Sequence, residues 1–246
     1  MRKTWYLIII LFVIISCEKD DGIIGYDKIE IEPYILDNYY IDAKYLYLDE
    51  IVHDSTNVNY NNPIIDETEI TQILKIIQAV YNSNSSERDT VFEVYDIHKL
   101  HCYSFNSIYL EVLNESPEIT NLINHVFPTG NSQLDDILTT YNFDSVKYYS
   151  SSVFPLLILH TNNEYNLVPI EQEFSEIESI QIAGSNKDIS CTDTDFGDNI
   201  SLKRNSNSAV ITFGIGRGDC PSGCISQKHW EFKVSNGNAR FIRTYK

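Results

Sequence analysis

Basic residues are scarce in this sequence: 18 lysines and arginines stand against 35 aspartates and glutamates, a formal net charge of −17. So acidic a surface repels phosphate backbones and anionic headgroups, which argues against nucleic acid and bare lipid headgroups as partners. Glycine and proline are also few, 10 and 7, which excludes a low-complexity linker and leaves a globular chain. No apolar run approaches the roughly 20 residues of a membrane-spanning helix. No period of roughly 20–50 residues repeats, which excludes a solenoid or propeller. Gly-x-Ser-x-Gly, His-Glu-x-x-His and a phosphate-binding glycine loop are missing too. An enzyme is therefore the minority expectation.

What is present begins at the N-terminus. Arg2 and Lys3 precede an apolar run, Trp5–Ile15, of 11 residues, and Ser16-Cys17 follows. That run is too short to span a bilayer but suits the apolar core of a secretory signal. Ser16-Cys17 resembles the lipobox of bacterial lipoproteins. The resemblance implies cleavage before Cys17, acylation of its thiol and new N-terminus, and a membrane anchor of several acyl chains. Removing residues 1–16 takes away Arg2, Lys3 and no acid, so the charge moves from −17 to −19. Residues 17–27 then form a lipidated tether whose charged start, Glu18-Lys19-Asp20-Asp21-Gly22, has nothing to pack. A lysine and two acids after the cysteine resemble the export signal of surface-exposed Bacteroidota lipoproteins. This implies an outer-membrane protein facing the cell exterior; a generic spacer on a periplasm-facing lipoprotein is the alternative.

Residues 28–246 read as one α+β domain, with three amphipathic helices packed on antiparallel sheet and a β-rich part over 177–246. Ala43–Val52 is expected to be a strand. Asp66 should cap a helix, with Glu69 completing a capping box and Ile70, Ile73, Leu74, Ile77 and Val80 on one face. Thr90–His98 and Ser107–Leu113 read as two strands of a hairpin. Ser116-Pro117 should open a second helix that buries Ile119, Leu122, Ile123 and Val126 and ends at Pro128-Thr129-Gly130. A third helix, capped near Ser132, would bury Leu134, Ile137, Leu138 and Tyr141. Strands are expected at 145–149, 155–160, 179–183, 199–203 and 209–215, with Glu171–Ile177 ambiguous. The chain should end in a β-meander. In its last hairpin Trp230, Phe232 and Val234 alternate with polar residues before an Asn236-Gly237 turn. A regular register then sets Val234 opposite Ala239, Phe232 opposite Phe241, and Trp230 opposite Arg243 as a cation–π pair.

Beyond Cys17, four cysteines remain, an even number in an oxidising compartment, and they allow three pairings. The favoured one joins Cys220 to Cys224, across a Pro-Ser-Gly turn, and Cys102 to Cys191. A redox dithiol at Cys220 and Cys224 is the sharper alternative, though no thioredoxin-like βαβ pattern surrounds it. Zinc on Cys220, Cys224 and His229 is a third option that lacks an evident fourth ligand. Asp193, Asp195, Asp198 and Asn199 crowd one loop with hard oxygen donors, the chemistry of an extracellular Ca²⁺ site. Position 12 counted from Asp193 is Arg204, however, not a bidentate glutamate, so a solvated turn is the simpler reading and no cofactor is expected. His98 and His101, on a strand, would point to opposite faces. Glu171, Glu173, Glu176 and Glu178 read as a solvated face. Arg217-Gly218-Asp219 matches an adhesive tripeptide but most simply ends a strand.

Gly218-Asp219-Cys220-Pro221-Ser222-Gly223-Cys224, with His229-Trp230-Glu231-Phe232, resembles the C-terminal end of a group of Bacteroidota lipoproteins. That implies location and a shared fold, and nothing catalytic. Two function classes follow. One is a surface-tethered binding or accessory module for a glycan, peptide or protein. The other is an exported enzyme of unfamiliar type, such as a dithiol redox protein using Cys220 and Cys224.

Overall fold

The structure is a computed structural model that describes residues 26, 28–101, 104–113, 116–150, 155–185, 197–205, 207–220 and 224–246. Pro33, with its φ already fixed near the helical value, opens helix α1 (Pro33–Val52). The strand expected over 43–52 is thus the second half of a helix. Residues 42–48 are all buried, nearly two turns in succession, so no apolar stripe exists for a 3.6-residue period to reveal. Helix α2 (Glu67–Tyr81) forms as expected. The Asp66 side chain accepts from the Thr68 N–H at 2.8 Å, and Ile70, Ile73, Leu74, Ile77 and Val80 are all buried. Residues 90–98 are not a strand either. A short helix, α3 (Ser86–Asp89), is capped by Ser85 and runs into one π-helical turn, Thr90–Val94, which buries Val91 and Phe92.

The middle of the chain builds a first antiparallel sheet. Strands β1 (Ser107–Val112), β2 (Phe143–Tyr149), β3 (Leu156–Thr161) and β4 (Ile180–Gly184) lie in the order β2-β3-β1-β4. Its inner residues, Leu110, Val112, Leu157 and Leu159 among them, meet helices α4 (Pro117–Ile123), α5 (Ser132–Thr140) and α6 (Val168–Ser175) in one hydrophobic cluster. Helix α4 starts where expected but ends at Ile123, which leaves Val126 beyond it and exposed. The cap of α5 is Asn131, whose side chain accepts from the Leu134 N–H at 3.1 Å. The ambiguous 171–177 stretch lies mostly in α6. Glu171 departs from the expected solvated face: it is 1% exposed and accepts a hydrogen bond from Ser185.

The C-terminal part is a second antiparallel sheet in simple meander order: β5 (Asn199–Asn205), β6 (Ser208–Arg217), β7 (Ser226–Ser235) and β8 (Asn238–Tyr245). Ile200, Ile211, Phe213, Trp230, Phe232 and Val234 face inward and share a cluster with α1 and α2. Residues 26–105 and 200–234 therefore share one cluster, while residues 108–180 carry a second between them. At the junction the buried Asn166 amide donates to the carbonyls of Tyr60 and Asn62 at 3.1 and 3.0 Å, and Lys44 pairs with Glu164. The class is α+β. Among the described residues no helix is long and apolar enough to cross a membrane.

Candidate functional site: the outward face of the C-terminal sheet

The last hairpin turns at Asn236-Gly237, both with positive φ, 50° and 73°, as a tight two-residue connection requires. Val234 pairs with Ala239 and Phe232 with Phe241, as expected. The register then shifts. Glu231 lies opposite Arg243, Trp230 opposite Thr244, and His229 opposite Tyr245. Ile242 is the extra residue, a β-bulge. Its consequence is a change of face: every side chain after it in β8 switches sides. Arg243, expected beside buried Trp230, instead reaches Glu231 across the outward surface, with Nη2 and Oε2 3.0 Å apart. The cation over Trp230 is Lys228, 4.9 Å from the ring, and Arg243 lies over Tyr245 at 4.8 Å.

With that bulge the outward side chains of the four strands fall into rows. One row runs Asn199, Gly214, His229, Tyr245. The next runs Ser201, Thr212, Glu231, Arg243, and a third Lys203, Val210, Lys233, Arg240. The first two rows, with Leu202, Lys203, Val210, Gln227 and Lys246, line a groove of about 680 Å³, within the usual range of small-ligand sites, roughly 300–1,000 Å³. His229 and Tyr245 stack along it, with ring centroids 4.7 Å apart and planes within 13°. Gly214 leaves the middle of its row without a side chain, so the groove floor there is backbone.

The end of α1 forms one wall. Asp49 and Glu50 line the groove, and both are fixed by cations behind them. The fully buried Lys99 ammonium sits 2.5 Å from Asp49 Oδ2 and donates to Asn199 Oδ1 at 3.2 Å. Asn199 Oδ1 also accepts from the backbone N–H groups of Leu100 and Ile200 at 3.0 and 2.9 Å. Burial pulls the Lys99 pKa down, and the Asp49 and Asp42 carboxylates oppose it. Glu50 accepts from Arg204 Nε at 2.8 and 3.0 Å, and Arg204 also reaches Glu69 at 2.8 Å. Desolvation nevertheless pushes the Glu50 carboxyl above its ordinary pKa, against the pull of Arg204. Asp49 Oδ1 is buried and has no hydrogen-bond partner among the described residues.

Behind this wall, Asp42 is 1% exposed and accepts from the Lys99 backbone N–H at 2.7 Å, and its other oxygen lies 2.7 Å from His98 Nδ1. The Asp42 hydrogen bond, against some desolvation, raises the His98 pKa. His101 does not join it; its ring stacks on Tyr45 at 4.4 Å.

Other sequence candidates lie apart from the groove or beyond the described residues. Cys17, Cys102, Cys191, Asp193 and Asp195 lie outside the described residues. Cys220 and Cys224 have their sulfurs at disulfide distance, between β6 and β7. Asp198 and Asn199 do not share a site. Asp198 Oδ2 pairs with Arg217 Nη2 at 3.2 Å, and Asn199 serves the Lys99 network. Arg217 closes β6, as its simpler reading had it. Among the described residues no three histidine, cysteine, aspartate or glutamate side chains gather as a metal site. Sequence reasoning placed Glu231 and His229 on the polar side of their strand but did not see the groove. Its one-residue cause carries no glycine or proline to announce it.

Comparisons with protein-family models, with curated proteins and with solved structures give no match.

Proposed function

We propose that this chain is an outer-membrane lipoprotein, anchored through acylated Cys17 and facing the cell exterior, that acts as a binding or accessory module. Its ligand site is the groove across the outward face of β5–β8. The observation that carries this reading is the groove itself: stacked His229 and Tyr245 beside the Ser201–Thr212–Glu231–Arg243 row. An aromatic surface flanked by fixed hydrogen-bonding groups is what a recognition site needs, since rings supply contact area and polar groups supply orientation. The lipobox resemblance and charged tether at residues 17–27 support the location. The ligand class, glycan, peptide or protein, is open at this level.

Labelling with a lipid precursor and protease shaving of intact cells test the location. The expected result is label on the wild type, loss of label and membrane association in Cys17→Ala, and cleavage in whole cells. Membrane retention of the Cys17→Ala protein would end the anchor claim, and full protection would end the outward orientation.

The dithiol-enzyme alternative needs Cys220 and Cys224 to exchange with substrate thiols. A reduction potential near those of disulfide-exchange proteins would favour it, and a strongly reducing potential would favour a permanent bridge.

A further inference from the structure

We infer that the groove takes an uncharged, hydroxyl-rich ligand, a neutral oligosaccharide; this rests on the reading of the groove as the ligand site. The argument begins with charge. The three carboxylates on the groove lining are already matched by cations of the protein: Asp49 by Lys99, Glu50 by Arg204, Glu231 by Arg243. A cationic ligand would compete with these cations, and displacing Lys99 or Arg204 would leave a buried charge uncompensated, a costly exchange. An anionic ligand meets a lining whose cations, Lys203, Arg243 and Lys246, are offset by Asp49, Glu50 and Glu231, on a chain of formal charge −17 whose field opposes its approach. Neutral ligands pay neither penalty.

Hydrogen-bonding chemistry selects among neutral ligands. A carboxylate bound to one cation keeps lone pairs for further donors, as Glu231 does beside the exposed Arg243. Ser201 and Thr212 are cross-strand partners and present hydroxyls that donate or accept, and the Arg243 guanidinium donates beside them. Acceptors, two-way hydroxyls and a donor within two rows match the alternating donor and acceptor character of sugar hydroxyls. The stacked His229–Tyr245 pair adds a flat face against which the C–H side of a pyranose ring can lie. Gly214, at the centre of the adjoining row, removes the side chain that would block it. A peptide would find little apolar surface to fill, as Leu202 and Val210 are the aliphatic side chains of the lining.

The test is amide and side-chain NMR titration of the soluble domain carrying residues 18–246. Separate titrants are gluco-, manno- and xylo-oligosaccharides, an oligogalacturonate and an oligolysine. The expected result is saturable shifts at Ser201, Thr212, His229 and Tyr245 with at least one neutral oligosaccharide and none with the charged titrants. Tyr245→Ala should weaken that binding at least tenfold. Thr212→Arg, which fills the groove from an outward position, should abolish it while the remaining spectrum stays native. Shifts at the groove with only a charged titrant would overturn the ligand class and leave the site standing. Neutral-sugar binding with shifts elsewhere, indifferent to both variants, would overturn the site itself. No shift with any neutral oligosaccharide at about 10 mM, a concentration that saturates even weak carbohydrate sites, would also overturn the proposal.

Discussion

Two four-stranded antiparallel sheets build this chain, and they differ in what they carry on their outward faces. On the first, the outward rows interleave Tyr109, Leu156, Ile158 and Ile182, the last 47% exposed, with Ser107, Glu111, Lys147 and His160, and Tyr109 crosses the position where Gly184 lacks a side chain. On the second, the outward rows carry serine, threonine, histidine, glutamate, arginine and tyrosine around a groove. Their inward faces are alike, aliphatic and aromatic under helices. Inward residues thus decide that a sheet forms, and outward residues decide what it can do.

The largest effects should come from breaking what lies under the second sheet. Trp230 is 2% exposed and its ring lies 5.4 Å from that of Tyr95, and Trp230→Ala should cost about 3–5 kcal/mol in denaturant unfolding. Ile182→Ser, on the outward face of the first sheet, should cost less than about 1 kcal/mol by the same measurement. Equal losses would mean that the outward face of the first sheet is as structural as the core of the second. Arg204→Ala belongs with the large effects. It strands Glu50 and Glu69, both largely withdrawn from water, and loss of one partner of a buried pair typically costs about 3–5 kcal/mol.

A smaller effect is expected at the cysteine pair between β6 and β7. Cys220 and Cys224 enclose only a short loop, so reduction adds little to the freedom of the unfolded chain. The cost should fall below the roughly 2–4 kcal/mol of an ordinary disulfide. Unfolding with and without reductant, with mass mapping of the unreduced protein, measures both the bridge and its contribution.

Deletion of Ile242 sharpens the comparison more. Removing a residue from a strand ordinarily flips every later side chain. Here it removes the residue that the register skips, so Arg243 stays opposite Glu231 and Tyr245 opposite His229. The deletion should leave cooperative unfolding within about 1 kcal/mol of the parent. A collapse in stability would show that the bulge does structural work beyond re-aiming β8.

The smallest effect is in pH. Asp42 raises the His98 pKa in the folded chain above the unfolded value of about 6.5. Stability from this pair is therefore fully present below pH ~6.5 and is lost as pH rises through the folded pKa. His98→Gln should flatten that slope, and a His98 titration by NMR should end above the random-coil value.

The sequence disclosed whatever has a local chemical cause. Asp66 capped α2 because its carboxylate reaches an N–H two residues on, and Asn236-Gly237 fixed the last turn because both positions need positive φ. It misled where burial was uniform. Residues 42–48 of α1, all buried, offered no apolar stripe to mark a helix. The groove was hidden for two reasons. Its wall depends on Lys99 meeting Asp49 and Asn199, contacts set by tertiary packing without local spacing. Its floor depends on a bulge at an isoleucine, a residue that signals only a regular strand.

That bulge is the hinge of the account, and cross-strand nuclear Overhauser effects in β7 and β8 test it most directly. Arg243 paired with Glu231, and the Tyr245 ring close to His229, is the expected pattern. Contacts from Arg243 to Trp230 and from Ile242 to Glu231 would instead mark an unbroken register. They would place Arg243 on the core side and remove the groove's aromatic and cationic wall.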